Sequence, residues 1–240
     1  MLFNVAKCSV LHVGHNNPRA SYEFGGVTLA EVTEARDLGV IIHHSLKPSC
    51  QCLQAAKKAN RVLGMIHRTI TNKSPRIMVK LYKQLVRPHL EYAIQAWSPW
   101  LQKDIQLLES VQRRATKMIV GFRDLPYEER LRRLHLTTLE RRRERGDVIE
   151  AFKIMKTIED VDADEFFALD AAGNPHSTRG HALKMRKQHA RLDVRKNFFS
   201  CRSVSYFNAL PPPAVLAQNV LHFKCEISQL YSRERDLDRR

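Results

Sequence analysis

The chain has 240 residues, enough for one large domain or two small ones, and its 43% hydrophobic content supplies a core and excludes general disorder. Its 40 Lys plus Arg stand against 25 Asp plus Glu, a net charge of +15 that attracts polyanions, in a cell nucleic acid or acidic membrane. The sequence has no apolar run of the ~18 residues that span a membrane. It also has no secretory leader, and its odd cysteine count of 5 argues against a disulfide framework, so an intracellular protein of cytoplasm or nucleus is expected.

The opening residues read as short strands. Ser9-Val10-Leu11-His12-Val13 is β-prone and stops at Gly14. Ser21 to Phe24 and Val27 to Leu29 flank Gly25-Gly26 as a hairpin, and Asp37 to Ile42 is a further strand candidate. Such strands alone make only a marginal sheet.

After Pro48 the apolar period lengthens to that of a helix. Ser49 can cap a helix to about Ile70, with Leu53, Ala56, Ala59, Leu63, Ile66 and Ile70 on one stripe. Ser74-Pro75 starts a second, which directs Met78, Leu81, Leu85 and Tyr92 inward, with Pro88 expected to kink or break it. Asp104 can cap a third, with Ile105, Leu108, Val111, Ala115 and Met118 inward and Gly121 at its end. Pro126 to Leu134 and Thr138 to about Ile158 are also helical and more basic, and Asp160 to Asp164 form an acidic break. Ala171 to Ser177 favour loop. In the stretch from Arg179 to Lys196, Arg179, Lys184, Arg186, Lys187, Arg191, Arg195 and Lys196 face Asp193 alone, a net +6. Pro211-Pro212-Pro213 precedes a last amphipathic helix near Val220 to Tyr231.

The expected fold class is α+β, mainly α. A short N-terminal β-hairpin region covers residues 1–47, and a three-helix bundle covers 48–121. A basic helical connector follows over 122–160, then a basic C-terminal region with its terminal helix over 161–240.

Polymerase chemistry needs clustered carboxylates for two Mg²⁺ ions, usually an adjacent aspartate pair, and no Asp-Asp pair occurs in this sequence. Asp160, Asp162 and Asp164 alternate after a helix and read as a solvated loop. Cys50-Gln51-Cys52 near His43 and His44 lacks the second ligand pair of a zinc framework, so partly buried free thiols are expected and no metal site is assigned. The positive signal is basic. Arg113, Arg114 and Lys117 share the outer face of the third helix; Arg130, Arg132 and Arg133 follow, then Arg141, Arg142, Arg143 and Arg145. Rows of arginine track a phosphate backbone without reading sequence. Glu128, Glu129, Glu140 and Glu144 offer the other reading, neutralisation by i,i+4 pairs. The +6 stretch, including Lys184, Arg186 and Lys187, has little acid to cancel it, which favours nucleic-acid contact there.

Certain phrases are more specific than composition. These are Phe3-Asn4 with Lys7-Cys8, Asp37-Leu38-Gly39-Val40, and Ala59-Asn60 with Leu63-Gly64. Next come Leu81-Tyr82-Lys83 with Leu85 to Tyr92, Trp97-Ser98-Pro99, the run from Leu108 to Lys117, and Tyr127 to Leu131. Thr178-Arg179-Gly180-His181, Phe198-Phe199-Ser200 and Asn208-Ala209-Leu210-Pro211 complete the series. Together they resemble the region after the catalytic palm motifs in LINE-type (jockey-like) non-LTR retrotransposon reverse transcriptases, across almost the whole chain.

The resemblance implies the end of an RNA-directed DNA polymerase palm. Lys7 would match the lysine that helps protonate departing pyrophosphate. Asp37, Leu38, Gly39 and Val40 would begin the primer-grip hairpin, and the helices from Ser49 to Gly121 would form the thumb. The family's fingers and catalytic aspartates belong before the matching region, so grip without polymerisation is implied. Mg²⁺ serves the full-length family, and no cofactor is expected in this chain. The implied partners are RNA or RNA–DNA duplex and a separate palm-and-fingers segment, not a membrane or a small-molecule substrate. On that basis Arg113, Arg114, Lys117, Arg141, Arg142, Arg145, Lys184, Arg186 and Lys187 are the expected nucleic-acid contacts. The strands would pack on a palm in such an enzyme, leaving one face open here. A basic RNA-binding or chromatin-associated module derived from such an element, or a non-functional remnant, are the alternatives.

Overall fold

A computed structural model describes residues 4–14, 16–169, 181 and 183–237, with backbone alone for 231–237. Phe3, the loop over Ala171 to Ser177, and Thr178-Arg179-Gly180 lie outside the described residues. The protein is α+β and mainly helical, short strands first and helices after. It divides into two compact units, Met1–Leu136 and Thr137–Arg240.

In the first unit a 3₁₀ turn at Val5–Lys7, where the Asn4 side chain accepts from the Ala6 N–H (3.1 Å), leads into β1 (Ser9–Leu11). Strand β2 (Glu23–Phe24) turns through Gly25-Gly26 into β3 (Val27–Thr28), both glycines at positive φ as a tight hairpin requires. Strand β4 (Ala30–Val32) pairs in parallel with β1. Tyr22, Phe24 and Val27 stand exposed, so the β2–β3 hairpin keeps apolar surface in solvent.

Strands β5 (Glu34–Asp37) and β6 (Val40–His43) form an antiparallel hairpin closed by Leu38-Gly39. The strand expected over Asp37 to Ile42 therefore begins only at Val40, and Asp37 to Val40 make the turn. Glu34 to Asp37 have no apolar alternation to announce them; pairing with β6 makes them a strand. Leu38 takes φ 43°, an uncommon left-handed position for leucine. Its carbonyl accepts from the Tyr92 hydroxyl (2.9 Å), and the Tyr92 ring lies against Gly39.

Helix α1 (Ser49–Thr69) buries Cys52, Ala55, Ala56, Ala59, Leu63 and Ile66. Leu53, expected on that stripe, is 44% exposed, because it lies one residue, about 100°, from Cys52. Gln51 turns inward and accepts from the Ile41 N–H (3.0 Å), tying α1 to β6. Cys50 and Cys52 form no disulfide and are half-buried and buried respectively.

Helix α2 (Pro75–Leu81) runs through a π turn at Tyr82–Val86 into α3 (Arg87–Glu91), and the Arg87 N–H reaches back to the Tyr82 carbonyl. Pro88 has no N–H to offer the preceding turn, and the helix widens there rather than breaking. The widened turn resets the phase. Met78, Tyr82, Val86 and Leu90 face the core; Leu81 is half-buried, and Leu85 and Tyr92, expected inward, are exposed.

A short helix α4 (Ile94–Trp97) precedes α5 (Gln102–Lys117), which buries Leu108, Val111 and Ala115 as expected and leaves Ile105 and Met118 half-buried. Asp104 is not its cap. Leu101 holds that position, and buried Asp104 accepts from Ser49 Oγ (2.6 Å), linking the starts of α1 and α5. Helix α1 packs on both α5 and α3, giving the three-membered bundle, and α6 (Tyr127–Arg133) packs on α5. Leu63 sits fully in that bundle, so Leu63→Ala is expected to lower unfolding free energy by about 2–5 kcal/mol. A melting curve unchanged by the substitution would contradict this packing.

The second unit is built on α7 (Leu139–Met155), whose cap residue Thr138 accepts from the Arg141 N–H (3.3 Å). It also contains α8 (Ala163–Phe166), α9 (Asp193–Lys196), α10 (Phe199–Asn208), α11 (Pro212–Val215) and α12 (Val220–Leu237). Its core joins Val148, Phe152, Phe199, Val204, Phe207, Val215 and Ile227, with Phe152 stacked on Phe223 at 4.0 Å. Residues 122–160 are thus not one connector: α6 belongs to the first unit and α7 to the second. Of the three prolines, Pro211 precedes the helical turn α11 and Pro212-Pro213 open it, where a missing N–H costs nothing.

Candidate nucleic-acid interface

In the first unit, the outer face of α5 borders a cleft of about 870 Å³. Arg113, Arg114 and Lys117 line it from α5, His67 from the last turn of α1, Arg123 from the loop after α5, and Arg130 from α6. No carboxylate is among its lining residues. The loop is pinned where the Val120 N–H donates to the Lys73 carbonyl (3.1 Å), and Gly121 at φ 78° supplies the left-handed turn that leads to Arg123. Cations without counter-charge around a concavity concentrate a positive field, which is how a protein draws in an oxyanion.

The wall behind this cleft is a buried polar network. Tyr82 donates to Gln112 Oε1 (2.7 Å); Gln112 Nε2 donates to Glu109 Oε1 (3.1 Å) and to the Tyr127 oxygen (2.9 Å); Tyr127 donates to Glu109. Burial raises both phenols well above their ordinary value, with Glu109 adding to the rise at Tyr127, so both remain donors. The Arg113 guanidinium lies over the Tyr127 ring, 3.9 Å from its centroid.

The other basic clusters differ from this one. In α6, Glu129 accepts from Arg132 (2.7 Å) and Arg133 (2.6 Å), and those hydrogen bonds lower its carboxyl to about 2, so it stays ionised and its single charge is shared between the two guanidiniums. Arg130 points inward. In α7, Arg143 is 4% exposed beside Asp147, and Arg145 donates to Ser228 Oγ (3.1 Å) and weakly to the Lys224 carbonyl (3.4 Å). Arg141 and Arg142 are half-buried, each with a protein contact. In the +6 stretch, Lys184 is half-buried, Arg186 and Lys187 are exposed, Arg195 bonds Gln188 (2.9 Å) and Lys196 pairs with Asp193 (3.2 Å).

Of the expected contacts, Arg113, Arg114 and Lys117 therefore meet in one cleft, while Arg141, Arg142, Arg145, Lys184, Arg186 and Lys187 belong to the second unit. Lys7 is exposed at the end of the 3₁₀ turn, and Leu38 projects from its hairpin 85% exposed. His67, Arg123 and the inward role of Arg130 were not legible in sequence. His67 and Arg123 join the site from separate segments, and nothing local separates Arg130 from its exposed neighbours.

Mg²⁺ takes oxygen ligands gathered at one point. Among the described residues no group of three or more His, Cys, Asp or Glu side chains stands together in a way that could hold a metal ion. No helix among the described residues is long and apolar enough to cross a membrane. Comparison with family models, curated proteins and solved structures gave no match for this chain.

A second cleft, about 530 Å³, lies in the second unit between Glu140, Glu144, Tyr206, Leu210, Ile227 and Leu230. Burial pushes the Glu144 carboxyl up, the Tyr206 hydroxyl (3.1 Å) opposes that, and Glu140 adds to it. A carboxyl raised on folding contributes stability below its unfolded value and loses that contribution as pH rises through the folded one. Glu144→Gln is therefore expected to raise the melting temperature at pH 7 relative to the parent chain while changing it little at pH 4. Equal melting of the two proteins at both pH values would contradict this.

Proposed function

We propose that the chain is the grip region of a LINE-type non-LTR retrotransposon reverse transcriptase, which binds RNA or RNA–DNA duplex through its phosphates. In this reading a separate palm-and-fingers segment supplies the chemistry, since the sequence offers no aspartate pair. The observation that carries it is the basic cleft, where His67, Arg113, Arg114, Lys117, Arg123 and Arg130 converge without an acidic lining residue. The bundle of α1, α2–α3 and α5 is the part that the resemblance assigns to a thumb, and the turn from Asp37 to Val40 would be the tip of its primer grip. Intracellular location, in cytoplasm or nucleus, goes with that role.

Photocrosslinking a labelled RNA–DNA hybrid to the purified chain, followed by peptide mapping, tests where the grip lies. Crosslinks are expected between residues 110 and 130. Crosslinks confined to residues 183–196 would move the interface to the second unit, and labelling of neither would remove the reading.

A further inference from the structure

The geometry points to a discrete oxyanion site at Arg113 and Arg130, organised by the ring of Tyr127 and built to hold one phosphate group. That this phosphate belongs to a bound strand rests on the nucleic-acid reading above. Arg130 is only 3% exposed, yet among the described residues no carboxylate lies within ion-pairing distance of it. Its Nη1 donates to the Arg113 carbonyl (2.8 Å) and to Thr116 Oγ1 (2.9 Å), while its buried Nε has no hydrogen-bond partner. A guanidinium removed from water without a counter-ion is costly, and most buried cations are paired.

Among the neighbouring charges Arg113 deepens the deficit, and Glu128 offsets part of it without pairing with Arg130. The Tyr127 ring carries Arg113 at 3.9 Å and Arg130 at 5.3 Å, so two like charges meet at one aromatic ring. The ring quadrupole offsets part of that repulsion, and the other cleft residues add only further positive charge. An anion is the missing member. Phosphate suits it because each guanidinium presents a planar set of donors that matches two oxygens of the group. The bond from Arg130 to the Arg113 carbonyl fixes the backbone that carries the second guanidinium, so α6 presets the site that α5 presents.

The test is thermal melting of the full chain in inorganic phosphate against chloride at equal ionic strength. Phosphate is expected to raise the melting temperature of the parent protein, and that shift is expected to disappear in Arg130→Met. Arg113→Ala, at an exposed position, is expected to reduce the shift too, and it serves as the test should the Met variant not fold. No phosphate-specific shift in the parent chain, or an undiminished shift in Arg113→Ala, would overturn the site.

A second arm separates the sources of phosphate. If a strand supplies it, Arg130→Met lowers the salt slope of hybrid binding by about 1. A phosphate shift with an unchanged slope would overturn the assignment to a strand and leave a site for free phosphate. Failure of the parent chain to bind hybrid at all, with the shift intact, would remove the proposed function and keep the oxyanion site.

Discussion

Changing Arg113, Arg114 and Lys117 together to Ala is expected to weaken hybrid binding at ~0.1 M salt by about two to three orders of magnitude. All three side chains are exposed on one face of α5 and line one cleft with no acidic lining residue. Each phosphate contact contributes roughly 0.9 to the slope of log K against log salt, so three contacts flatten that slope by about 2.7. The loss should be nearly equal for unrelated sequences, because phosphate contacts position a duplex without reading it. Stability should change little, since none of the three is in the core. Equilibrium titrations at several salt concentrations check this; an unchanged slope would take these residues out of the interface.

The largest expected stability effect lies in the second unit. Asp147 is buried on α7 and takes two hydrogen bonds from Arg202 of α10, at 2.8 and 2.9 Å, with Arg143 close by. Burial pushes its carboxyl up, while the Arg202 hydrogen bonds and both guanidiniums pull it back. Such a group of charges gives little net stability compared with an apolar core, but breaking it leaves buried charge uncompensated. Asp147→Ala is therefore expected to cost about 3–5 kcal/mol, and Asp147→Asn less, because the amide oxygen still accepts from Arg202. Urea unfolding combined with hydrogen exchange of the α7 and α10 amides measures it. A loss under about 1 kcal/mol would mean that the pair is not the clasp between these helices.

The two predictions draw on different kinds of legibility. The Arg113, Arg114 and Lys117 face was readable because α5 is regular: Leu108, Val111 and Ala115 define its buried stripe, so the opposite face follows from helical period. The bounds of α1 were readable for the same reason. Its second neighbour was not, because the π turn before Pro88 shifts the phase and moves Tyr82 and Val86 into the core instead of Leu85. Asp104 looked like a cap because the local rule fits it; its partner, Ser49, is distant in sequence and appears only when α1 packs on α5.

Arg130 marks the limit most clearly. In sequence it stands with Arg132 and Arg133 in one basic cluster. In the fold, the latter two share an ion pair with Glu129, while Arg130 enters the core behind Tyr127. Helix α10 is not announced by its own residues, since its serines and Val204 are weak helix formers and its place is decided by packing against α7. The same holds for Asp147, an acidic residue on a polar-looking helix until Arg202 arrives from α10.

The most direct test of the central claim is binding of the purified chain to a labelled RNA–DNA hybrid across a salt series, with primer extension assayed in the same tubes. The account predicts tight binding at low salt, a linear fall of log K with log salt, and no extension. Absence of binding at low salt would contradict the claim of a working grip. Extension by the chain alone, with contaminating polymerase excluded, would contradict the claim that its chemistry comes from a separate segment.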